Sequence, residues 1–351
     1  MEKPFLPFEA VSNSLSVGSM PLTVEWNGGI SVEYCQTKLV FDPHKNNHFY
    51  AKVFVSHAHY DHSKGFEFRN CIKVSTQETK EIIETYGKRV ESWQLLATGD
   101  ATEVDDLKVV SHNAGHVLGS TLFEIVTPEG CVVYTGDLQF KDSLTLKGAQ
   151  PVLCDVLIIE STFGSKGFKF PERETVADEM VQWAEKTIKS GKIPAFKTDS
   201  LGNAQEVTKA FNMHSNLPVV VHYRAAQMNE IYNAKGHHLK FTHAQSEEAS
   251  EIASSNEFVF VAPKNANLLN YPEFEPTLVS GWALWEKKNK NFALSDHADF
   301  DQLMDFVKAC KPRTVLTCFG GRFNHSFAKQ VERELGIESR PLNLIPTKFF
   351  L

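Results

Sequence analysis

Short apolar runs separated by turn-forming residues dominate the first part of the chain. Runs of four to seven residues rich in Val, Ile, Phe, Tyr and Thr alternate with Gly, Asn, Asp and Pro, as β-strands and their turns do. The predicted strands cover residues 22–26, 30–34, 38–41, 52–56, 72–75, 108–111 and 121–127. The spacing of Ile82, Ile83 and Tyr86 predicts one short amphipathic helix over 76–86. We therefore expect a sandwich of sheets with helices outside it.

The pattern changes after two continuous apolar runs, 132–135 and 156–160, which predict buried strands. Helical periodicity then alternates with short strands, a rhythm that normally builds a parallel sheet. The predicted helices cover 175–190, 202–212 and 225–233, and the strands 193–196 and 219–222. A strand at 292–294, a helix at 300–309, a strand at 314–318 and a helix at 327–335 follow. The sequence predicts an α/β protein with a second α/β unit over 169–291, between segments 1–168 and 292–351.

Composition excludes several classes of protein. Hydrophobic residues make up 42% and charged residues 23%, as in ordinary globular proteins, and no apolar run is long enough to span a membrane. Residues 1–7 lack the basic and apolar regions of a secretory signal, so we expect a cytoplasmic protein. The net charge of −7 disfavours a protein that coats nucleic acid non-specifically. Six cysteines without a CxxC pair predict buried thiols rather than a zinc ribbon or disulfides.

The most informative segment is a predicted buried strand that leads into His-x-His-x-Asp-His. It places His57, His59, Asp61 and His62 within six residues. On an extended backbone, residues two apart point the same way, so His57 and His59 can bind one ion while Asp61 and His62 turn toward a second. A lone histidine at a strand end is usually a polar cap, but a cluster of this kind indicates a metal site.

Two later segments add candidate ligands. His116 lies between glycines in Ala-Gly-His-Val-Leu-Gly-Ser, where the backbone can turn tightly around a ligand. Asp137 follows a predicted buried strand in Tyr-Thr-Gly-Asp, and a carboxylate there is well placed to bridge two cations. The alternatives are a turn histidine at 116 and a helix N-cap at Asp137.

The order of these motifs, together with Asp42 in Phe-Asp-Pro, resembles motifs one to four of the metallo-β-lactamase superfamily. The segments 157–164 and 294–300 are similar to motifs A and B of its β-CASP nucleases, and 280–282 resembles the compact prokaryotic members, including ligase-associated exonucleases. The resemblance covers about Gly28 to Gly320. It implies a metallo-β-lactamase αββα sandwich, 1–168 and 292–351, with an inserted α/β β-CASP domain at 169–291, and a nuclease acting on single-stranded RNA or DNA.

Carried over by position, the resemblance implies a dinuclear zinc centre with a catalytic pair beside it. One zinc would be held by His57, His59, His116 and Asp137, and the second by Asp61, His62 and the shared Asp137. Asp61 thus counts as a ligand and as a catalytic residue, while Asp42 would orient the histidine loop without touching metal. Glu160 and His297 would form the pair, with His297 protonating the leaving oxygen. A zinc ion lowers the pKa of bound water from 15.7 to roughly 7, which supplies the nucleophile at neutral pH.

The chain departs from the family at two positions. Phe319 stands where RNA-processing members have a histidine ligand, so the second zinc loses a ligand. Cys318 and His325 are candidate substitutes; without them we expect the second site to be weak, filled only with substrate, or empty. Asn203 stands where the helix start at 200–206 usually carries arginine, so the phosphate grip should be weaker. Candidate substrate contacts are Lys197, Ser200, Gly202 and Asn203, because free backbone N–H groups at a helix start bind phosphate.

Two other functions remain open. A small-molecule ester or thioester hydrolase of the same fold would explain the zinc motifs but would leave the insertion and the motifs A and B without a role. An inactive scaffold subunit would explain Phe319 but not the intact ligand set, and zinc content would distinguish it from an enzyme. The dense basic stretch 286–291 is interpreted as a solvated turn rather than a phosphate clamp. The sequence does not decide between RNA and DNA, and a homodimer is a candidate assembly.

Overall fold

The computed structural model describes residues 22–46, 50–286, 290–342 and 349–350. Within these ranges the chain forms three β-sheets and seven α-helices, which confirms the predicted α/β class. Residues 1–7 and Lys287–Asn289, on which two of the sequence interpretations depend, lie outside the described residues. Among the helices that are described, none has both the length and the apolar character needed to cross a bilayer.

The first sheet has seven strands in the order β19-β1-β2-β3-β4-β5-β6. Their bounds are β1 Thr23–Trp26, β2 Ile30–Tyr34, β3 Thr37–Phe41, β4 Lys52–Phe54, β5 Ile72–Ser75, β6 Trp93–Leu95 and β19 Phe349–Phe350. The strands β1, β2 and β3 pair in antiparallel fashion, whereas β3 to β6 run parallel. The carboxyl ends of β3 and β4 therefore lie at the same edge of this sheet.

The second sheet also has seven strands, in the order β18-β17-β11-β10-β9-β8-β7. Their bounds are β7 Ala101–Val104, β8 Leu107–Asn113, β9 Thr121–Thr127, β10 Gly130–Tyr134, β11 Val156–Glu160, β17 Thr314–Cys318 and β18 Glu338–Pro341. An antiparallel meander from β7 to β10 continues into the parallel strands β10, β11, β17 and β18. The carboxyl ends of β10 and β11 thus share one edge, where polar side chains can converge.

The two sheets pack face to face around one hydrophobic core. Phe41 of the first sheet contacts Phe123 and Tyr134 of the second, and Phe54 contacts Phe123, with ring centroids 5.2 to 5.8 Å apart. On the other face of the second sheet lie the helices α6 Phe300–Cys310 and α7 Phe323–Leu335, which bury their apolar sides against it. The expected sandwich with outer helices is therefore present.

A third sheet is built from residues 193–278 and is parallel throughout, in the order β14-β13-β15-β12-β16. Its strands are β12 Ile193–Thr198, β13 Val219–Val221, β14 Thr242–His243, β15 Val259–Pro263 and β16 Phe274–Leu278. The remaining helices are α1 Gln77–Thr85, α2 Arg173–Lys189, α3 Asn203–His214, α4 Tyr223–Ala234 and α5 Glu247–Ala253. A buried cluster that includes Ile82 of α1 and Tyr232 of α4 joins this unit to the sandwich.

Most predicted elements are confirmed within one to four residues, but one is wrong. Residues 292–294 do not form a strand. Phe292 makes a single bridge to Val279 and is buried because it packs in the hydrophobic core beside the third sheet. The cysteines are free thiols as predicted, although Cys35 is exposed rather than buried because it lies in a tight turn between β2 and β3. The missed elements, such as β6 and α5, bury few side chains and hence have little apolar periodicity.

Candidate metal centre and active-site cleft

Loops from both sheets bring the candidate residues together at one edge of the sandwich. His57 and His59 follow β4, and His116 follows β8. Asp137 lies three residues beyond β10, and Glu160 is the last residue of β11. These strand ends face each other across the core, so a ligand set that is scattered along the chain becomes a compact cluster.

The first group consists of His57, His59, His116 and Asp137, and their ligand atoms all lie within 4.8 Å of one another. The Oδ2 atom of Asp137 is 3.4 Å from His57 Nε2 and 3.7 Å from His116 Nε2. His57 Nε2 and Asp137 Oδ1 are buried without a hydrogen-bond partner, an arrangement that is costly unless another group satisfies them. Three imidazoles and one carboxylate are a typical donor set for tetrahedral zinc, so these residues fit such an ion.

The electrostatics of this group favour ligand behaviour. Burial lowers the pKa of His57 to about 4, and His62 nearby adds to the shift. Burial likewise lowers the pKa of His116 well below its usual range, with neighbouring histidines contributing. The pKa of Asp137 lies well below its usual range because His62, His297 and His57 outweigh the effect of burial. Neutral imidazoles and an ionised carboxylate are the forms that bind metal.

Asp42 lies beneath the cluster and accepts four hydrogen bonds. They come from the Ser56 backbone N–H at 2.7 Å, the Ser56 hydroxyl at 2.5 Å, the Tyr134 hydroxyl at 2.6 Å and His62 Nδ1 at 2.8 Å. Burial raises the pKa of Asp42, but His62 and His57 outweigh it and lower the pKa overall. The Ser56 hydroxyl also lies 3.0 Å from His57 Nδ1. Asp42 therefore lies behind the histidine loop and fixes the positions of Ser56 and His62.

The second predicted zinc position is only partly formed. His62 Nε2 lies 3.3 Å from Asp137 Oδ1 and 3.8 Å from Asp61 Oδ2, and it is buried without a hydrogen-bond partner. The Asp61 side chain is 67% exposed. Within the described ranges, Asp61 and His62 join no group of three or more convergent ligands. Phe319 packs its ring on His62 with centroids 4.2 Å apart, and its phenyl ring offers no ligand atom.

Neither candidate substitute for the missing ligand reaches this position. The Cys318 thiol is fully buried and donates to the Ile159 carbonyl at 3.5 Å, within the core of the sandwich. His325 is exposed on α7 and does not line the cleft. Both substitutions are therefore wrong, because strand β17 turns Cys318 inward and α7 turns His325 toward solvent.

The predicted pair of Glu160 and His297 lies beside the ligand group. Glu160 is fully buried; its Oε1 lies 2.9 Å from His297 Nδ1 and accepts from the Leu138 N–H at 2.8 Å. Glu160 Oε2 accepts from the Thr162 N–H at 3.1 Å. The other ring nitrogen of His297, Nε2, lies 4.0 Å from Asp137 Oδ2. Burial lowers the pKa of His297, but Glu160 and Asp137 outweigh it and raise the pKa to about 10.

A cleft of about 450 Å³ opens onto these residues between the sandwich and the α/β unit that contains the third sheet. Ser200 and Asn203, two of the candidate substrate contacts, lie in its wall, and Asn203 Oδ1 is buried without a partner. Four carboxylates line the cleft, at positions 61, 137, 199 and 296, and Lys264 is the one lysine or arginine in its described lining. The Nζ atom of Lys264 is 3.6 Å from an Asp199 oxygen. The protein itself therefore brings little positive charge to the cleft.

Two of the candidate substrate contacts need correction. Lys197 points into a different cavity, lined by residues 265–269 and the edge strand β16, because alternate residues of β12 face opposite sides of its sheet. The Gly202 N–H donates to Gln205 Oε1 at 2.7 Å, so it is not free to bind phosphate. Gly202 is required for another reason: its φ is +93°, and a Cβ would collide with the Asp296 carboxylate.

Several residues of the site escaped the sequence analysis. Asp296 is buried between His116 and Gly202, and its backbone carbonyl lies 3.0 Å from His116 Nδ1. Burial raises the pKa of its carboxyl group. Gln139 donates to the His297 carbonyl at 2.9 Å and so supports the loop that carries the imidazole. Asp296 lies inside the segment 294–300, one residue before His297, and Gln139 lies two residues beyond Asp137, so the available signal was proximity to the predicted site residues.

Comparison with known proteins supports the motif assignment. No protein-family model matches the chain. A probable DNA ligase of Opitutus terrae is 28% identical over 300 residues, which cover 82% of this chain and 28% of the relative. RNase aCSPSF2 of Saccharolobus solfataricus is 28% identical over 48% of this chain and 39% of its own length. Transcription termination factor FttA of Methanocaldococcus jannaschii is 34% identical over 40% of this chain and 23% of its own length.

The chain spans less than half of the length of each of these relatives. A crystal structure of a protein of unknown function from Enterococcus faecalis superposes with a TM-score of 0.63, covering 95% of this chain and all of the other at 14% identity, a likeness of fold alone. The RNase and termination-factor relatives support the resemblance of this chain to the β-CASP nucleases of the metallo-β-lactamase superfamily.

Proposed function

We propose that the chain is a zinc-dependent nuclease that hydrolyses phosphodiester bonds in single-stranded nucleic acid in the cytoplasm. The observation that carries this proposal is the opening of one cleft onto both a four-residue metal-ligand group and the Glu160–His297 pair. A ligand group alone would suit many hydrolases. The adjacent pair adds a proton donor for an alcohol leaving group, which phosphodiester cleavage requires.

The architecture in this proposal is an αββα metallo-β-lactamase sandwich formed by residues 1–168 and 292–351, with a β-CASP insertion at 169–291. The two face-to-face sheets and the helices α6 and α7 support the sandwich. The separate five-stranded parallel sheet, which begins and ends between β11 and α6, supports the insertion. The cleft between the two units is then the substrate channel.

His57, His59, His116 and Asp137 would hold one zinc ion, and Asp61 and His62 would contribute to a weaker second position with Asp137. When bound, the metal supplies a Lewis acid that activates water at neutral pH and neutralises phosphoryl oxygens. Asp42 fixes the orientation of His62 and, through Ser56, of His57. Second-position binding is expected to be weak because the phenyl ring of Phe319 offers no ligand atom.

The chain's own residues would handle the proton. Glu160 holds His297 by Nδ1, which leaves Nε2 facing the cleft near Asp137. His297 in its protonated form then donates from Nε2 to the departing 3′ oxygen. Glu160 is itself fixed by two backbone N–H groups, so the pair is oriented before the substrate arrives.

The cleft favours single strands. Its volume of about 450 Å³ is far smaller than a duplex, and residues of the unit around the third sheet form one of its walls, so a duplex would have to separate before its backbone reached the ligand group. Two observations bear on the kind of strand. The match to the probable DNA ligase extends over 82% of this chain, which favours DNA, whereas the RNase and termination-factor relatives favour RNA.

The test compares cleavage of matched end-labelled single-stranded RNA and DNA by the wild type, Asp61→Ala and His297→Ala. Asp106→Ala and His325→Ala are matched controls, because both residues are exposed outside the cleft. We expect zinc-dependent cleavage that both cleft variants lose and both controls keep. Whether RNA or DNA is cleaved faster identifies the preferred substrate. A zinc-containing protein that cleaves neither strand would refute the proposal and favour a small-molecule ester hydrolase. A protein that binds no zinc would favour a scaffold.

A further inference from the structure

Two tryptophans lie on one short 3-10 helix, Gly281–Leu284, and the residue that caps it; Trp282 lines the cleft, and Trp285 lies beside it with ring centroids 6.0 Å apart. Trp282 is 36% exposed and Trp285 is 45% exposed, so both are unusually open for large aromatic side chains. A 3-10 helix has three residues per turn, so positions three apart project from the same side. The two indoles therefore form one surface rather than two isolated contacts.

Buried phenyl rings support this surface from below. The ring centroid of Trp282 is 4.9 Å from Phe163 and 5.4 Å from Phe168, and Trp285 stacks on Phe168 at 4.3 Å with an interplanar angle of 28°. Both phenylalanines are almost fully buried. Gly281 lets the helix approach this base, since a Cβ there would collide with the Phe163 ring. The inner faces of the indoles are fixed, and their remaining surface is open.

The surface is continuous with the proposed reaction site. Phe163 lies 5.8 Å from the His297 ring, centroid to centroid, so only one phenyl ring separates Trp282 from the proposed proton donor. Trp282 also lines the same cleft as Asp137 and His297. A group that stacks on Trp282 would therefore lie next to a phosphate at the ligand group.

An arginine completes the outer edge of this surface. The guanidinium of Arg322 lies 5.4 Å from the Trp285 ring and 4.9 Å from the Phe323 ring. Across the ranges that the structure describes, Arg322 forms no ion pair with a carboxylate, in contrast to Lys264 in the cleft. An arginine held against aromatic faces and free of acidic partners is well suited to bind a phosphate.

We infer that Trp282 and Trp285 form a stacking platform for the bases of the substrate strand, and that Arg322 binds a phosphate of the same strand. This inference rests on the proposed nuclease function and adds a structural basis for single-strand preference. Every nucleobase has a π-face, so such a platform is tolerant of sequence, but paired and stacked bases of a duplex cannot use it. Indole faces combined with one unpaired guanidinium match this ligand better than an apolar peptide.

The test scans a single abasic site along a cleavable single-stranded oligonucleotide, with Trp282→Leu and Trp282→Phe compared with the wild type. For the wild type, we expect the half-saturating concentration of the oligonucleotide to rise by roughly 5- to 150-fold when the abasic site lies at the platform. Trp282→Leu should show the same loss on the intact strand and no further loss on the abasic one. Trp282→Phe, which keeps a π-face and the packing on Phe163, should lose much less.

Tyr271→Ala is the matched control, because Tyr271 is 53% exposed and lines a different cavity. Arg322→Gln should reduce the slope of log affinity against log salt by about 0.7, the value for one phosphate contact on a single strand, whereas Trp282→Leu should leave the slope unchanged. Quenching of tryptophan fluorescence by the oligonucleotide provides a readout that does not depend on cleavage.

The outcomes separate the two proposals. If cleavage is retained and both the wild type and Trp282→Leu bind intact and abasic strands equally well, the stacking platform is refuted and the proposed nuclease activity is not. If no strand is cleaved but the oligonucleotide quenches fluorescence in a position-dependent way that Trp282→Leu removes, the nuclease proposal is refuted and base binding at Trp282 is supported. Absence of both would refute both.

Discussion

Replacing His297 by asparagine tests the chemical step most directly. The imidazole is held 2.9 Å from Glu160 Oε1 through Nδ1, and its Nε2 faces the cleft 4.0 Å from Asp137 Oδ2. Asparagine keeps a polar group near the position of Nδ1 but has nothing at the position of Nε2. General acid catalysis contributes about 10²- to 10⁴-fold, or about 3 to 5 kcal/mol of barrier, so kcat on nucleic acid should fall by that factor.

The assay compares two leaving groups. The natural leaving group is an alkoxide and requires a proton, whereas p-nitrophenolate, released from bis(p-nitrophenyl) phosphate, is stable without one. We expect His297→Asn to lose about 10²- to 10⁴-fold in kcat on the oligonucleotide and less than about 10-fold on the activated ester. KM and bound zinc should change little if the ion is held by His57, His59, His116 and Asp137; His297 is not part of that group, although it converges with His116 and Asp296 and with Asp137 and Glu160 in two other groups.

His325→Asn provides the matched control, since that histidine is exposed on α7 away from the cleft. An equal loss on both substrates would contradict the role of His297 as proton donor, because a merely structural defect does not distinguish leaving groups. A large loss of bound zinc would show instead that His297 supports the ligand group.

Three further changes address the centre itself. His116→Ala should release most of the bound zinc, measured by elemental analysis after dialysis, and an unchanged zinc content would exclude the proposed ligand group. Phe319→His replaces the ring that packs on His62 by a ligand and should raise bound zinc from about one to about two ions per chain; a constant ratio would contradict the proposed reason for a weak second position. Tyr134→Phe removes the 2.6 Å hydrogen bond to the buried Asp42 carboxylate and should lower the free energy of unfolding by about 1.5 to 3 kcal/mol, measured in urea with a chelator present. A change below 0.5 kcal/mol, as for a surface substitution, would show that this bond is not needed to stabilise Asp42.

The fold was predictable where burial controls the residue pattern. Strand β11 is fully buried and reads as a continuous apolar run, and α6 buries one side of its surface, so both were found. Elements at the margins carry weaker patterns. The helix α5 buries only Ala249 in its described residues, and edge strand β16 is half exposed, so neither has a clear periodicity. The strand predicted at 292–294 is wrong for a different reason: the residues are apolar, but packing rather than strand pairing buries Phe292.

The ligand group was predictable because its residue types are rare in such density and the motif order restricts their roles. The sequence did not reveal the direction in which side chains and backbone N–H groups point. Lys197 was a reasonable phosphate contact by type, but the alternation of β12 turns it away from the cleft. The free N–H expected at Gly202 is taken by Gln205, a contact across one helical turn. Trp282 became visible as a candidate contact only once the fold placed its ring beside the cleft.

The charge of the cleft links the metal to substrate binding. Its described lining carries four carboxylates and one lysine, which is itself near Asp199, so the protein side chains alone repel phosphate. A divalent ion held by three neutral histidines and one aspartate would keep a net charge of about +1, and it would be the strongest attraction for phosphate in the cleft. Recognition is then divided in space: charge at the ligand group selects the phosphate, and the aromatic surface at Trp282 selects an unpaired base. With the proposed function, this division would account for binding of a polyanion by a chain whose net charge is −7.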